Sequence, residues 1–179
     1  MSVMELWLPI VATGLATHVL STLAWTVLPH HKPEWQKLPN EDDFHKALEG
    51  NIPAGQYVFP YATDGETMKS DGYQRKVKSC SGMLIIWPTP SHMGKAIGLT
   101  LVSFFVIAFV IAYLASLALP KGAEFMKVVQ FVTTAGLLAH LAAKFPFVFW
   151  FRRKIVMDLL DGIVFAVTTG LIFATLWPK

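Results

Sequence analysis

The chain has one cysteine, Cys80, so it cannot close a disulfide within itself, and its fold does not depend on an oxidising compartment. As a nucleophile or metal ligand Cys80 would need an activating base, and its neighbours Ser79 and Ser81 supply none. Charge is scarce too. Only 15% of the 179 residues are Asp, Glu, Lys or Arg while 54% are hydrophobic, a balance too apolar for an ordinary soluble domain of this length. The basic residues gather at the ends of apolar runs rather than along one face, and the formal net charge is only +3, so no nucleic-acid partner is expected. A phosphate-cradling glycine loop, a zincin helix motif, a serine-nucleophile elbow and the repeated Glu-x-x-His of di-iron bundles are all missing, which weighs against an enzyme. Nothing basic precedes the first apolar run and no small-residue cleavage site ends it, so an uncleaved anchor is expected rather than a secretory signal.

What the chain does have is long apolar runs. The cluster Arg152, Arg153 and Lys154 separates two of them, residues 125–151 and 155–177, and reads as the turn of a membrane hairpin. Runs of this length cross a hydrocarbon core of about 30 Å as helices. The four membrane helices are expected at about 6–28, 93–119, 124–150 and 154–177, with Trp7 and Trp25 near the ends of the first, where indole rings favour the headgroups. Pro9 falls in a first turn, where proline costs least, and Pro146 is expected to bend the last turns of the third helix. Gly94 and Gly98 form a small-xxx-small pair at the start of the second.

The chain therefore divides into 1–29, a first transmembrane helix; 30–92, a polar insertion; and 93–179, a three-helix bundle. The fold class is an all-α membrane protein of four transmembrane helices with a small α+β insertion between helices 1 and 2. Within the insertion, Asn40 before Glu41-Asp42-Asp43 predicts a capped helix over 41–49 ending at Gly50, with Phe44 and Leu48 on its buried side. Residues 56–61 and 83–87 are rich in aromatic and β-branched side chains and should pair as strands, with one short helix between them near Asp64 or Asp71. So small a domain buries little alone and should lean on the membrane surface or on a partner.

Lys and Arg set the orientation. With Arg152, Arg153 and Lys154 cytoplasmic, residues 30–95 are inside and both termini outside; the inner side then holds eight basic residues in the insertion and three in the turn, against Lys121, Lys127 and Lys179 outside.

Ionisable groups inside a membrane helix need a partner or a task. Lys144 precedes the basic turn by about the distance at which Asp161 follows it, so an antiparallel hairpin predicts a Lys144–Asp161 ion pair. His18 and His140 each lie near mid-bilayer, and equal depth allows their imidazoles to hold a metal, haem or other porphyrin-type pigment; the alternative is a hydrogen bond from each to a nearby hydroxyl or carbonyl, of which the neighbouring threonines supply many. His30, His31 and Glu34, at the inner surface, offer a metal site with help from His45 or the acidic run, although His31 and Glu34 share a face only in a helix and Pro29 and Pro33 argue against one; a positively charged or hydrogen-bonding collar is the alternative.

The runs LPHHKPEWQKLPNEDD (28–43), GQYVFPY (55–61) and DLLDG (158–162) resemble a group of small bacterial membrane proteins without an assigned activity. The resemblance spans nearly the whole chain and implies a bacterial inner-membrane protein with four helices and one polar insertion. The expected partners are the lipid bilayer and other membrane subunits, and no cofactor is required. The leading expectation is thus a non-catalytic accessory or assembly subunit of a larger membrane complex. The alternatives are a metal- or haem-binding redox protein using the histidines, and a small oligomeric transporter or proton pathway using Lys144, Asp161 and His140.

Overall fold

The computed structural model describes residues 1–49 and 52–179, so the helix stop expected at Gly50 lies outside the described residues. Four helices are long and apolar enough to cross a membrane: Val3–Thr26, Met93–Ala118, Phe125–Phe151 and Val156–Thr175. The first is a 3-10 turn, Val3–Leu6, whose Ser2 side chain accepts from the Met4 amide, running into α1, Trp7–Thr26. Buried Pro9 sits in the first turn of α1, as its missing N–H requires. Several threonine hydroxyls within the spans turn back on their own helix, as Thr17 does to Thr13 O at 2.8 Å and Thr169 to Phe165 O at 2.7 Å, which satisfies them without a second helix, whereas the buried hydroxyls of Thr13 and Thr133 find no partner among the described residues.

The third span is not a continuous α-helix. Following α5, Met93–Ala118, it consists of α6, Phe125–Leu137, a π-helical turn at Leu138–Ala142, and α7, Lys144–Phe151. Pro146 accounts for the interruption, because a proline ring collides with the carbonyl four residues earlier, here Ala142 at the end of the π turn. The irregularity thus falls one turn earlier than the expected bend. Arg152, in the left-handed region at φ 49°, closes α7, and α8 runs over Val156–Thr175.

In lipid no hydrophobic force draws helices together, so close approach of backbones matters most. The close contacts lie between α6 and α8. A Cβ on Gly136 would meet Ala166 Cα at 3.0 Å, and one on Gly170 would collide with the Thr133 hydroxyl. α8 also packs on α1, and α1 on α5. Gly94 and Gly98 have nothing within 4 Å, so the small-residue seam is Gly162-x-x-x-Ala166-x-x-x-Gly170 rather than the pair at the start of α5.

The two ends of the bundle are fastened differently. At one, the Trp177 indole donates to Pro120 O at 3.0 Å, the Gly122 amide to Pro178 O at 2.8 Å, and Lys121 pairs with Glu5, above an apolar cluster that includes Leu6, Ile111, Val128, Val132 and Phe173. At the other, Lys154 Nζ donates to Pro33 O at 2.9 Å, tying the basic turn to the chain that leaves α1.

Residues 37–92 form a second compact unit. The boundary expected at His30 falls at Lys37, because side chains of residues 30–36 are bonded into the helical unit. This unit holds α2, Glu41–Leu48; β1, Gly55–Phe59; α3, Gly65–Lys69; α4, Asp71–Ser79; and β2, Gly82–Ile86. The strands pair antiparallel, Tyr57 opposite Leu84 and Val58 opposite Met83. Two short helices lie between them, where one was expected: Asp64 caps α3 by accepting from the Thr67 amide, and Ser70 caps α4 by accepting from the Tyr73 amide. The Asp64 carboxyl is held below its ordinary pKa by those amide and hydroxyl donors. Asn40 does precede α2, but in the left-handed conformation and with no side-chain cap bond.

Substituting Gly136→Val should force α6 and α8 apart and cost about 1–3 kcal/mol, read as a lower midpoint of thermal unfolding in detergent. Gly98→Val, with open space around it, should leave the midpoint unchanged.

Candidate metal centre and the cavity beside it

α1 ends at Thr26, the amides of Val27 and Leu28 both return to Leu23 O, and Pro29 prevents further helix. The chain then folds back through a turn, the Lys32 amide bonding Pro29 O at 3.0 Å, into a one-turn 3-10 helix, Lys32–Glu34. Pro33 lies in its first positions, where the missing N–H is not needed. In a 3-10 turn residues three apart eclipse, which brings Glu34 over His31. The expectation that the prolines keep these two apart is corrected: Pro33 starts the turn that joins them.

His31 is 4% exposed, and both its ring nitrogens face carboxylates, Nδ1 on Glu34 Oε2 at 2.8 Å and Nε2 on Asp161 Oδ2 at 3.0 Å. The other oxygen of Asp161 takes His30 Nε2 at 3.1 Å. Trp25 stacks flat on the His31 ring, centroids 3.9 Å apart at an interplanar angle of 7°. Ionised carboxylates only accept, so an imidazole bonded to two of them donates twice and is an imidazolium. Burial, the strongest single influence, pulls the His31 pKa down, but the hydrogen bonds and charges of Asp161 and Glu34 together outweigh it and raise the pKa above the ordinary histidine value.

The same convergence suits a cation. One ligand atom each from His30, His31 and Asp161 lies within 4.8 Å of the others. Around a tetrahedral ion with bonds of about 2.0–2.1 Å, neighbouring ligand atoms sit roughly 3.4 Å apart, close to the 3.1 and 3.0 Å that separate the two Nε2 atoms from the Asp161 oxygens, so the three residues would supply three positions and leave a fourth open. The bond from His31 Nδ1 to Glu34 is the orienting bond that metal-binding histidines characteristically make. Proton and metal would compete for His31 Nε2. The expected set His30, His31 and Glu34 is therefore rearranged: Asp161 faces both imidazoles, and Glu34 stands behind His31.

Beside this cluster lies a cavity of about 300 Å³, with Trp25, Phe104 and Phe165 as apolar walls and Ser21, His140, Lys144, Asp158 and Asp161 as polar ones. Lys144 Nζ stands 3.5 Å from Asp158 Oδ1 and donates to Asp158 O at 3.2 Å. The expected Lys144–Asp161 pair is thus not formed. Equal depth in a hairpin sets height but not which of two acids on one helix face is met, and His30 and His31 fold back to take Asp161 first.

His18 and His140 do not converge either. Each packs on the ring of Phe104, at 6.3 and 6.1 Å between centroids, so this phenylalanine links them instead of a shared ligand. His18 Nδ1 is buried and finds no hydroxyl or carbonyl partner among the described residues. His140 projects from the π turn into the cavity, against Phe165. Arg152, Arg153 and Lys154 border a shallow pocket with Glu34, Trp35 and Gln36 at the same end of the bundle. Sequence reasoning missed Asp161 as the partner of the histidine pair; the signal was a second acid, three residues beyond Asp158, with a single cation to serve both.

Comparison with protein-family models, with curated proteins and with solved structures returns no match.

A double-mutant cycle over His31→Ala and Asp161→Asn should give a coupling of about 1–3 kcal/mol, while Lys144→Met with Asp161→Asn should be additive to within about 0.5 kcal/mol. Both are read from chemical unfolding in detergent; the opposite ranking would restore the Lys144–Asp161 pair.

Proposed function

We propose that this chain is a multi-pass protein of the bacterial inner membrane whose working part is a divalent transition-metal centre built from His30, His31 and Asp161, with Glu34 orienting His31. The observation that carries this is the meeting of two imidazole Nε2 atoms on one half-buried carboxylate, with a second carboxylate behind the more buried ring. Two histidines and one acid with open positions suit zinc or iron(II), and an ion held there would act as a Lewis acid towards a molecule in the adjoining cavity. The apolar cluster at the far end fills the bundle beyond the polar cavity, which favours a site open to one side over a proton or ion path across the membrane.

The basic residues around 30–95 and at the 152–154 turn favour placing the metal centre at the cytoplasmic side and the termini outside. The resemblance of the 28–43 and 55–61 runs to small bacterial membrane proteins supports that compartment.

A second role, as an accessory subunit, is favoured by the 37–92 unit. Val58, Met83 and Ile85 lie on one face of its sheet and are 57%, 39% and 47% exposed, an apolar surface suited to a partner.

Protein purified with chelator and then dialysed against zinc should bind one ion per chain by elemental analysis. His30→Ala, His31→Ala and Asp161→Ala should each abolish this, Glu34→Gln should weaken it about 10- to 100-fold, and His18→Ala and His140→Ala should leave it intact. Zinc bound equally by the Asp161→Ala protein would sink the metal centre. Native gel separation of the same gently extracted protein addresses the second role, since a small species migrating alone argues against a stable complex. For orientation, the single exposed cysteine serves directly. In spheroplasts an impermeant maleimide should spare Cys80 until the membrane is permeabilised, whereas Lys121→Cys in a Cys80→Ser background should react at once; the reverse pattern would invert the topology.

A further inference from the structure

α6 is held to α8 by Gly136 and Gly170, and α5 is held to α1, so α5 and α6 are left apart over much of their length. Between them lies an apolar groove of about 890 Å³, lined by Val106, Val110 and Leu114 on α5 and by Phe131 and Leu138 on the third span. From Lys127 to Ala139 it extends ~18 Å at 1.5 Å per residue. Val110 and Leu138 in this groove are 49% and 65% exposed, so in a bilayer the groove is open to hydrocarbon.

The groove adjoins the polar cavity at one residue. Ala139 lines both it and the polar cavity that holds His140, Lys144, Asp158 and Asp161. A molecule with a hydrocarbon chain can therefore bring a polar head to the cavity from within the membrane, without crossing water. The cavity chooses the head. Lys144 has three N–H donors, and its two contacts both go to Asp158, which leaves donor capacity for an oxyanion. With a divalent ion on the centre proposed above, the ion and Lys144 balance the charges of Asp158, Asp161 and Glu34, so an oxyanion gains from direct contact with the ion and the ammonium and not from a net positive charge; this part of the inference rests on that centre.

We propose that groove and cavity form one site for a membrane phospholipid, an acyl chain lying along α5 and α6 and the phosphate head in the cavity, facing Lys144 and the metal centre.

The test uses the full chain, zinc-loaded, in phosphatidylcholine vesicles with a trace of phosphatidic acid carrying a photoreactive diazirine near either the carboxyl or the methyl end of one chain. The carboxyl-end probe should label Val106, Leu138 and Ala139; the methyl-end probe should label Leu114 and Gln130. Val110→Trp and Leu138→Trp, both at exposed positions that leave the helix contacts alone, should each cut labelling about tenfold. Excess unlabelled phosphatidic acid should compete, and diacylglycerol should not. The proposal is overturned by the two probes labelling in reversed order, by labelling spread equally over lipid-facing Val19 and Val164, or by equal competition from diacylglycerol. Repeating the map on protein that binds no zinc separates the two ideas. Groove labelling that persists there while phosphatidic acid loses its advantage supports the chain site and the metal's part in holding the head, an unchanged preference removes the metal from the site, and labelling lost from the groove in loaded and unloaded protein alike overturns the lipid site itself.

Discussion

A carboxylate in the membrane-embedded part of a bundle cannot be left without partners, and Asp161 sets the arrangement of one whole end of this molecule. Both its oxygens are taken by consecutive histidines, so the chain leaving α1 must turn back towards α8. That return draws in residues 30–36 and moves the boundary of the polar unit to Lys37. It also lays the His31 ring on Trp25, leaves Asp158 for Lys144, and bounds the cavity into which His140 projects. One acid thus organises the turn, the ion pairs and the pocket.

The rest of the bundle follows from packing in a solvent as apolar as the side chains themselves. Where backbones can approach, at Gly136, Ala166 and Gly170, the helices close up. α5 and α6 meet in the apolar cluster at one end, and where mostly bulky side chains line the gap between them it stays open and the space falls to lipid. The same rule explains why a small-residue pair at the start of α5 packs nothing: spacing permits contact, but a second backbone must be there to accept it.

Much of this was legible in the chain. Run length and basic turns located four spans within a few residues of their observed bounds, and the strand pair followed from its aromatic and β-branched composition. The pairing of Asp161 was not legible, because counting residues from a turn gives depth but not azimuth, and Asp158 and Asp161 differ by less than one helical turn. Glu34 was set aside as a partner of His31 because proline was weighed against an α-helix, whereas a 3-10 turn accepts Pro33 at its start. The second short helix of the polar unit was missed because Asp64 and Ser70 each carry a cap within seven residues, closer than two helices are usually expected.

The π turn at Leu138–Ala142 can be viewed as an insertion. A π turn accommodates one more residue than the α-helix it interrupts, and each residue turns a helix by about 100°. Had the third span been one residue shorter here, α7 would be rotated by that angle relative to α6, and Lys144 would leave the face that now meets Asp158. The face of α6 that fits against α8 and the face of α7 that carries the cation are therefore in different registers, joined by a single added residue. A helix altered in this way can acquire a polar pocket near its middle without disturbing the packing of its first half.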